Sequence, residues 1–112
     1  MNVDYLYQVA DNDEGFIVEL LAVLKKNLLE FPPAMQQAFS NQRWEELSNI
    51  AHKFKSCVAY AGIQDFNQAL VELELIKEHH LSLTQIAEKL QKVFRYSEQM
   101  LAEIEQLLVK YQ

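Results

Sequence analysis

The stretch Ala51-His52-Lys53-Phe54-Lys55-Ser56-Cys57-Val58-Ala59-Tyr60-Ala61-Gly62 decides the fold of this 112-residue chain. Wound as a helix of about 3.6 residues per turn, it continues an apolar stripe of Leu47, Ile50, Ala51, Phe54, Val58 and Ala61 at three- and four-residue spacing. That stripe belongs against a core. At roughly 100° per residue, His52 falls about 170° from the middle of the stripe, so its imidazole is expected in water. Ser48, Ser56 and Ala59 share the outer face, all short, with Lys55 about 60° to one side. A titratable ring stands over a clearing, beside a positive charge.

On the N-terminal side, Ser40 or Asn41 can cap this helix, which is expected from about Arg43 to Ala61. Before it, Phe16, Ile17, Leu20, Leu21, Leu24, Leu28 and Phe31 give a second amphipathic helix, with Asp11 as N-cap and Glu14 completing a capping box. Pro32-Pro33 either stops that helix near Leu29 to Glu30 or kinks it on its way to Phe39. Val3, Leu6, Tyr7 and Ala10 predict a two-turn helix at the start of the chain, leaning as a lid on something larger.

On the C-terminal side, Gly62 sits where a helix closes its last carbonyls with a residue at positive φ. Ile63, Phe66, Ala69, Leu70, Leu73 and Ile76 then form a helix folded back on its predecessor and ending around His79-His80. Ser82-Leu83-Thr84-Gln85 is a capping-box pattern that opens a long last helix through Ile86, Leu90, Val93, Ser97, Met100, Leu101, Ile104 and Leu108. No alternating strand pattern occurs. The expectation is an all-α, antiparallel four-helix bundle with a short N-terminal lid helix, one domain over residues 1–112.

Composition narrows the function. Half the residues are hydrophobic and only two are glycine and two proline, as in a folded helical domain. A net charge of −6 opposes broad binding to nucleic acid or anionic membranes. The single cysteine, Cys57, excludes an internal disulfide and a multi-cysteine metal site, and is read as a small buried hydrophobe in a reducing, cytoplasmic setting. No apolar run approaches the ~20 residues of a membrane span, and Met1-Asn2-Val3-Asp4 does not open a signal peptide. Glycine-rich phosphate loops, paired metal-binding histidines and serine elbows are all missing, which argues against familiar ATP-hydrolysing or metal-dependent enzymes.

Among the histidines, His79 and His80 read as a polar helix end favoured by the helix dipole. His52 differs. An exposed imidazole, with an ordinary pKa near 6.5, can attack phosphorus without an activating base, and Lys55 is placed to neutralise phosphoryl oxygens. Trp44 and Tyr60 are read as core edge, and Glu45, Glu46, Glu72 and Glu74 as solvated faces.

The string Ala51-His52-Lys53-Phe54-Lys55-Ser56, followed by Gly62, resembles the A-H-x-L-K-G/S signature of histidine-containing phosphotransfer (HPt) domains. The likeness extends through Trp44 upstream and Leu70, Leu73 and Glu74 downstream, over nearly the whole chain. It implies His52 as phosphoacceptor, Lys55 as the cation near the phosphate, Ser56 as the small residue giving access, and Lys53 as an auxiliary basic position. Ser48 and Ala59 would border the binding surface. Phe54 departs from the usual Leu, and Ser56 from the commoner Gly. The resemblance implies a phosphorelay carrier that is not an enzyme in its own right. It needs no cofactor in this chain, because magnesium is held by the partner. Response-regulator receiver domains and a hybrid histidine kinase are the implied partners, and a monomer is expected. A non-catalytic adaptor, and a dimer paired through the last helix, are the competing readings.

Overall fold

The computed structural model describes residues 1–111. Helices run over Val3–Val9 (α1), Glu14–Ser40 (α2), Trp44–Val58 (α3), Gln64–Glu74 (α4) and Leu83–Val109 (α5), with a 3-10 turn at Ala59–Ala61 after α3. No strand occurs among the described residues. At about 1.5 Å per residue, the 27 residues of α2 and of α5 span roughly the 43 Å long axis of the molecule. In the bundle, α2 packs on α3 and α5, and α4 on α3 and α5.

Side-chain pairs between neighbouring helices run in opposite sequence order. Between α2 and α3, Phe39 meets Trp44 and Phe31 meets Phe54. Between α3 and α4, Ser48 reaches Glu74 while Phe54 meets Phe66. Between α4 and α5, Asp65 holds Lys92 and Tyr96, and Glu72 holds Lys89. One ring from each of the four longer helices joins a continuous aromatic ladder. Its centroid spacings are 5.1 Å from Phe31 to Phe54, 5.5 Å from Phe54 to Phe66 and 5.6 Å from Phe66 to Tyr96. Leu21, Leu24, Leu47, Leu70, Leu73, Val93 and Met100 fill the core around it.

Several boundaries differ from the sequence reading. The N-cap of α2 is Asp13, not Asp11: its carboxylate accepts from Phe16 N–H at 3.1 Å, while Asp11 and Asn12 occupy left-handed turn positions. α2 runs unbroken through Pro32 and Pro33. The prolines remove the usual donors to the carbonyls of Leu28 and Leu29, yet burial of Leu28, Met35 and Ala38 holds the helix on both sides of them. Ser40 therefore stays inside α2 and Asn41 ends it. α3 starts behind Arg43 with no side-chain cap, so neither Ser40 nor Asn41 opens it. α4 ends at Glu74, short of His79-His80, because the chain turns there to bring Ile76 inward. Phe16 is exposed, against its expected burial, and Tyr60, read as core edge, is exposed as well. Cys57 is half-buried; burial pushes its thiol up, with a hydrogen bond to Asn27 pulling the other way.

Two local signals appear where expected. Ser82 and Gln85 form a reciprocal capping box at the start of α5. Gly62 takes φ 69°, closing the 3-10 turn. Against that turn lies α1, with Leu6 buried and the Asn2 N–H donating to the Ala61 carbonyl at 2.7 Å. No described helix is long and apolar enough to cross a membrane.

Candidate functional site

α3 is amphipathic, so the burial of Leu47, Ala51, Phe54 and Val58 turns His52 outward, where its side chain is 61% exposed. The ring is nevertheless held. Its Nδ1 lies 2.6 Å from Glu74 Oε1, and the other carboxylate oxygen accepts from Lys55 Nζ at 2.7 Å. Glu74 is the last residue of α4, at a helix end whose carbonyls lack intrahelical donors. The Ser48 hydroxyl donates to the Glu74 carbonyl at 2.5 Å and so caps that end. A carboxylate at a helix C-terminus is disfavoured by the helix dipole, and Lys55 offsets that.

The charges fix the chemistry of the ring. The Lys55 ammonium first, and then the His52 ring, hold the Glu74 carboxyl below its ordinary value, against partial burial. Glu74 is therefore an acceptor near neutrality. An ionised carboxylate cannot donate, so the hydrogen on the imidazole sits on Nδ1 and the lone pair on Nε2. On a ring this exposed, that leaves one nitrogen tethered and one available to a ligand.

A model of the Hpt domain family matches residues 19–110 of the chain. The chain belongs to the Hpt domain family. No curated protein and no solved structure matched it. The Hpt assignment implies phosphotransfer in two-component phosphorelays, by carriers that interact with receiver domains and kinases. The matched residues contain α3, α4 and every side chain of the His52 cluster, and leave α1 outside.

Within this Hpt domain, the residues singled out in the sequence do not all share one surface. His52, Lys53 and Ser56 are exposed on α3, and Ala59 is exposed in the 3-10 turn that follows it. Ser48 is not part of an open clearing: it is half-buried, and its hydroxyl is committed to the end of α4. Lys55 is half-buried and ion-paired with Glu74. The Ser56 hydroxyl lies 3.5 Å from the His52 carbonyl one turn back, turned toward its own helix. Lys53 makes no ion pair among the described residues. No cluster of three or more His, Cys, Asp or Glu among the described residues is placed to hold a metal ion.

Glu74 is the residue the sequence reading misplaced, since it is neither solvated nor a bystander. Its side chain is 24% exposed and bonds the two residues central to the site. Glu72, also read as a solvated face, is paired with Lys89 at 2.5 Å. A signal for Glu74 was present in the hairpin: His52 lies ten residues before Gly62 and Glu74 twelve after, so folding at the glycine brings them level.

Proposed function

We propose that His52 is the phosphoacceptor of this Hpt domain, taking a phosphoryl group from the aspartate of one receiver domain and passing it to another. The observation that carries this reading is the ring itself, exposed on a rigid helix with Nδ1 occupied by Glu74 and Nε2 free. In the forward step the Nε2 lone pair forms the N–P bond in line with the breaking P–O bond. The released electron pair stays on the receiver's carboxylate. Lys55, one turn along α3, offers ammonium hydrogens to the phosphoryl oxygens. Lysine has three such donors, so bonding to Glu74 leaves two.

The remaining catalytic parts belong to the partner. With its ring 61% exposed, His52 is not enclosed by its own domain, so in this reading the receiver supplies the magnesium ion and the enclosure that positions the transferring group. The domain is then a phosphocarrier, without nucleotide chemistry of its own. Its small outer residues Ser56 and Ala59 admit the receiver, and Lys53 adds a positive charge beside an acidic pocket. The docked pair must separate after each transfer, which favours a small, transient interface. The apolar stripes of α2 to α5 are turned on one another, which supports a monomeric carrier; in this reading it acts in the cytoplasm, beside its receivers and a hybrid kinase.

The test mixes a phosphorylated receiver from the same two-component system with the wild-type domain and with His52→Gln. Label should move to the wild type alone. Label on the variant would place the acceptor elsewhere, and an unlabelled wild type would leave an adaptor that binds receivers without carrying phosphate.

A further inference from the structure

Pro32 and Pro33 give α2 neither an end nor a break, although prolines inside a helix forfeit ladder bonds. Their effect is on the carbonyls behind them. The Leu29 carbonyl has proline at both the third and the fourth residue after it, so it has neither a 3-10 nor an α-helical donor; the Leu28 carbonyl loses its α-helical one. A helix carbonyl lies between its own residue and the one four later, and Leu28, Leu29, Pro32 and Pro33 all line one groove between α2 and α5. The two freed acceptors are therefore on the groove side of α2.

This groove has a volume of about 360 Å³ and apolar walls, to which α5 contributes Phe94 and Leu101. Its polar side chains lean the same way as the carbonyls. Ser97 is buried and commits its hydroxyl hydrogen to the Val93 carbonyl at 2.7 Å. Gln36 turns its amide nitrogen to Ser40 Oγ at 3.1 Å, outside the groove, which leaves the amide oxygen as its other end. Glu98 adds a carboxylate with no ion pair among the described residues. No lysine, arginine or histidine lines this groove.

A second depression of about 280 Å³, lined by Gln91, Phe94, Arg95 and Glu98, shares two of those residues and lengthens the surface along α5. From Gln91 to Leu101 the helical rise gives about 15 Å, or roughly three turns. An open groove of that length, with Leu29 54% exposed on its rim, matches a helix laid lengthwise better than a small molecule, which a concave site would surround.

We propose that the α2–α5 groove docks an amphipathic helix of a partner protein, with apolar residues at three- and four-residue spacing and one lysine or arginine aimed at the freed carbonyls and Glu98. The cation belongs at the Leu29 end, because Arg95 lines only the second depression. An ammonium or guanidinium brings donors without acceptors, the complement of what the groove presents. A second copy of this chain fits worse, since two-fold pairing would set groove against groove and Glu98 against Glu98. α2 and α5 pack on each other at the side of the bundle away from the α3–α4 hairpin, so a helix seated there leaves His52 open. The proposal holds whether or not His52 carries phosphate.

The experiment titrates the full chain into fluorescein-labelled synthetic peptides of about 15 residues, long enough to form a helix, and reads anisotropy. The probe has leucines at i, i+3, i+4 and i+7, one arginine among them, and alanine and glutamine elsewhere. Two controls carry norleucine or glutamate in place of the arginine. The arginine peptide should bind saturably, the norleucine peptide roughly 10-fold or more weakly, and the glutamate peptide more weakly still. With Pro32→Ala and Pro33→Ala together, new N–H groups occupy both carbonyls. The arginine peptide should then lose most of its advantage, while the norleucine peptide binds as it does to the wild type. Alanine restores the helix ladder, so circular dichroism should show helicity kept or raised. Glu98→Gln should weaken the arginine peptide alone. In nitrogen-15 spectra, the amides that shift on binding should include Leu29, Phe94 and Leu101 and spare the α3–α4 hairpin.

Absent binding, equal affinity for the three peptides, or an undiminished preference for arginine in the double proline variant overturns the proposal. Shifts centred on α3 and α4 overturn it too, by placing the peptide elsewhere. A free chain that sediments as a dimer, and as a monomer with Leu29→Asp, would give the groove to a second copy and likewise refute a partner helix.

Discussion

Replacing Phe54 by Leu, the residue usual at this place in the resembled pattern, isolates what holds the site helix rigid. Phe54 is fully buried and is the middle of the aromatic ladder, tilted at 34° to Phe31 and edge-on at 89° to Phe66. Each such pair contributes about 0.5–1.5 kcal/mol beyond the area it buries, so losing both costs about 1–3 kcal/mol. Leucine is smaller, and a void of about 20 Å³ at ~24 cal/mol per Å³ adds about 0.5 kcal/mol. At about 4 °C per kcal/mol for a domain of this size, the thermal midpoint should fall by roughly 6–14 °C. Urea titration followed by circular dichroism should show a lower midpoint with unchanged slope, since the surface exposed on unfolding is nearly the same. Well below the new midpoint, transfer to His52 should keep its wild-type rate, because the imidazole points away from the ladder. A midpoint within about 2 °C of wild type would refute the ladder as a source of stability beyond aliphatic filling. A slowed transfer in a folded protein would show that α3 needs the rings for its position.

Two further outcomes follow from particular groups. Gly62→Ala should destabilise the domain by about 1–2 kcal/mol, since φ is 69° and the new Cβ would stand 3.1 Å from that of Asn2; faster hydrogen exchange at the Asn2 amide should accompany it, and unchanged exchange would refute the strain. Lowering pH should weaken the fold through Glu74 and Glu72, whose ordinary value is 4.5, and Asp65, whose ordinary value is 3.8. Lys55 first lowers Glu74, Lys89 first lowers Glu72, and Tyr96 first lowers Asp65. The unfolded chain then takes up protons first, so stability is fully present above the ordinary values and is lost as pH falls from about 5 through the lowered ones. Urea midpoints measured down this range should drop, and Glu74→Gln should flatten part of the drop; equal slopes in the two proteins would remove Glu74 from the linkage.

What could be read from the sequence was the local chemistry. The Ser82-Gln85 box and the Gly62 turn depend on residues within a few positions of each other, and both occur as spelled. The start of α2 was harder, because Asp11, Asn12 and Asp13 are all good caps. The choice falls to Asp13 through the turn that ends α1, in which Asn12 N–H reaches back to the Tyr7 carbonyl and Asp11 and Asn12 take left-handed positions. The end of α4 was overrun because Ile76 keeps the helical period; it is buried as the spacing demands, but from a turn. On the site, the exposure of His52 came directly from the apolar stripe of its own helix. Glu74 did not, since a helical wheel contains one helix and the carboxylate matters through another.

This difference explains the site's division of labour. A stripe of apolar residues can aim a side chain outward, yet it says nothing of which ring nitrogen carries the hydrogen; that takes a group from a second element at hydrogen-bond distance. Here the second element is held in place by Ser48, on the same helix as His52 and one turn before it. The ring, the cap and the cation all lie on α3, and the carboxylate they share closes the set, so the cluster depends on the hairpin of α3 and α4 and on no loop. Within it the charges of Lys55 and Glu74 cancel, which leaves Lys53, next to His52 in sequence, as a cation without an ion pair among the described residues on a chain of net charge −6. On the proposal that Nε2 takes the phosphoryl group, Lys53 and Lys55 are the two cations of α3 within one turn of it, on an exposed face of a chain whose net charge is negative.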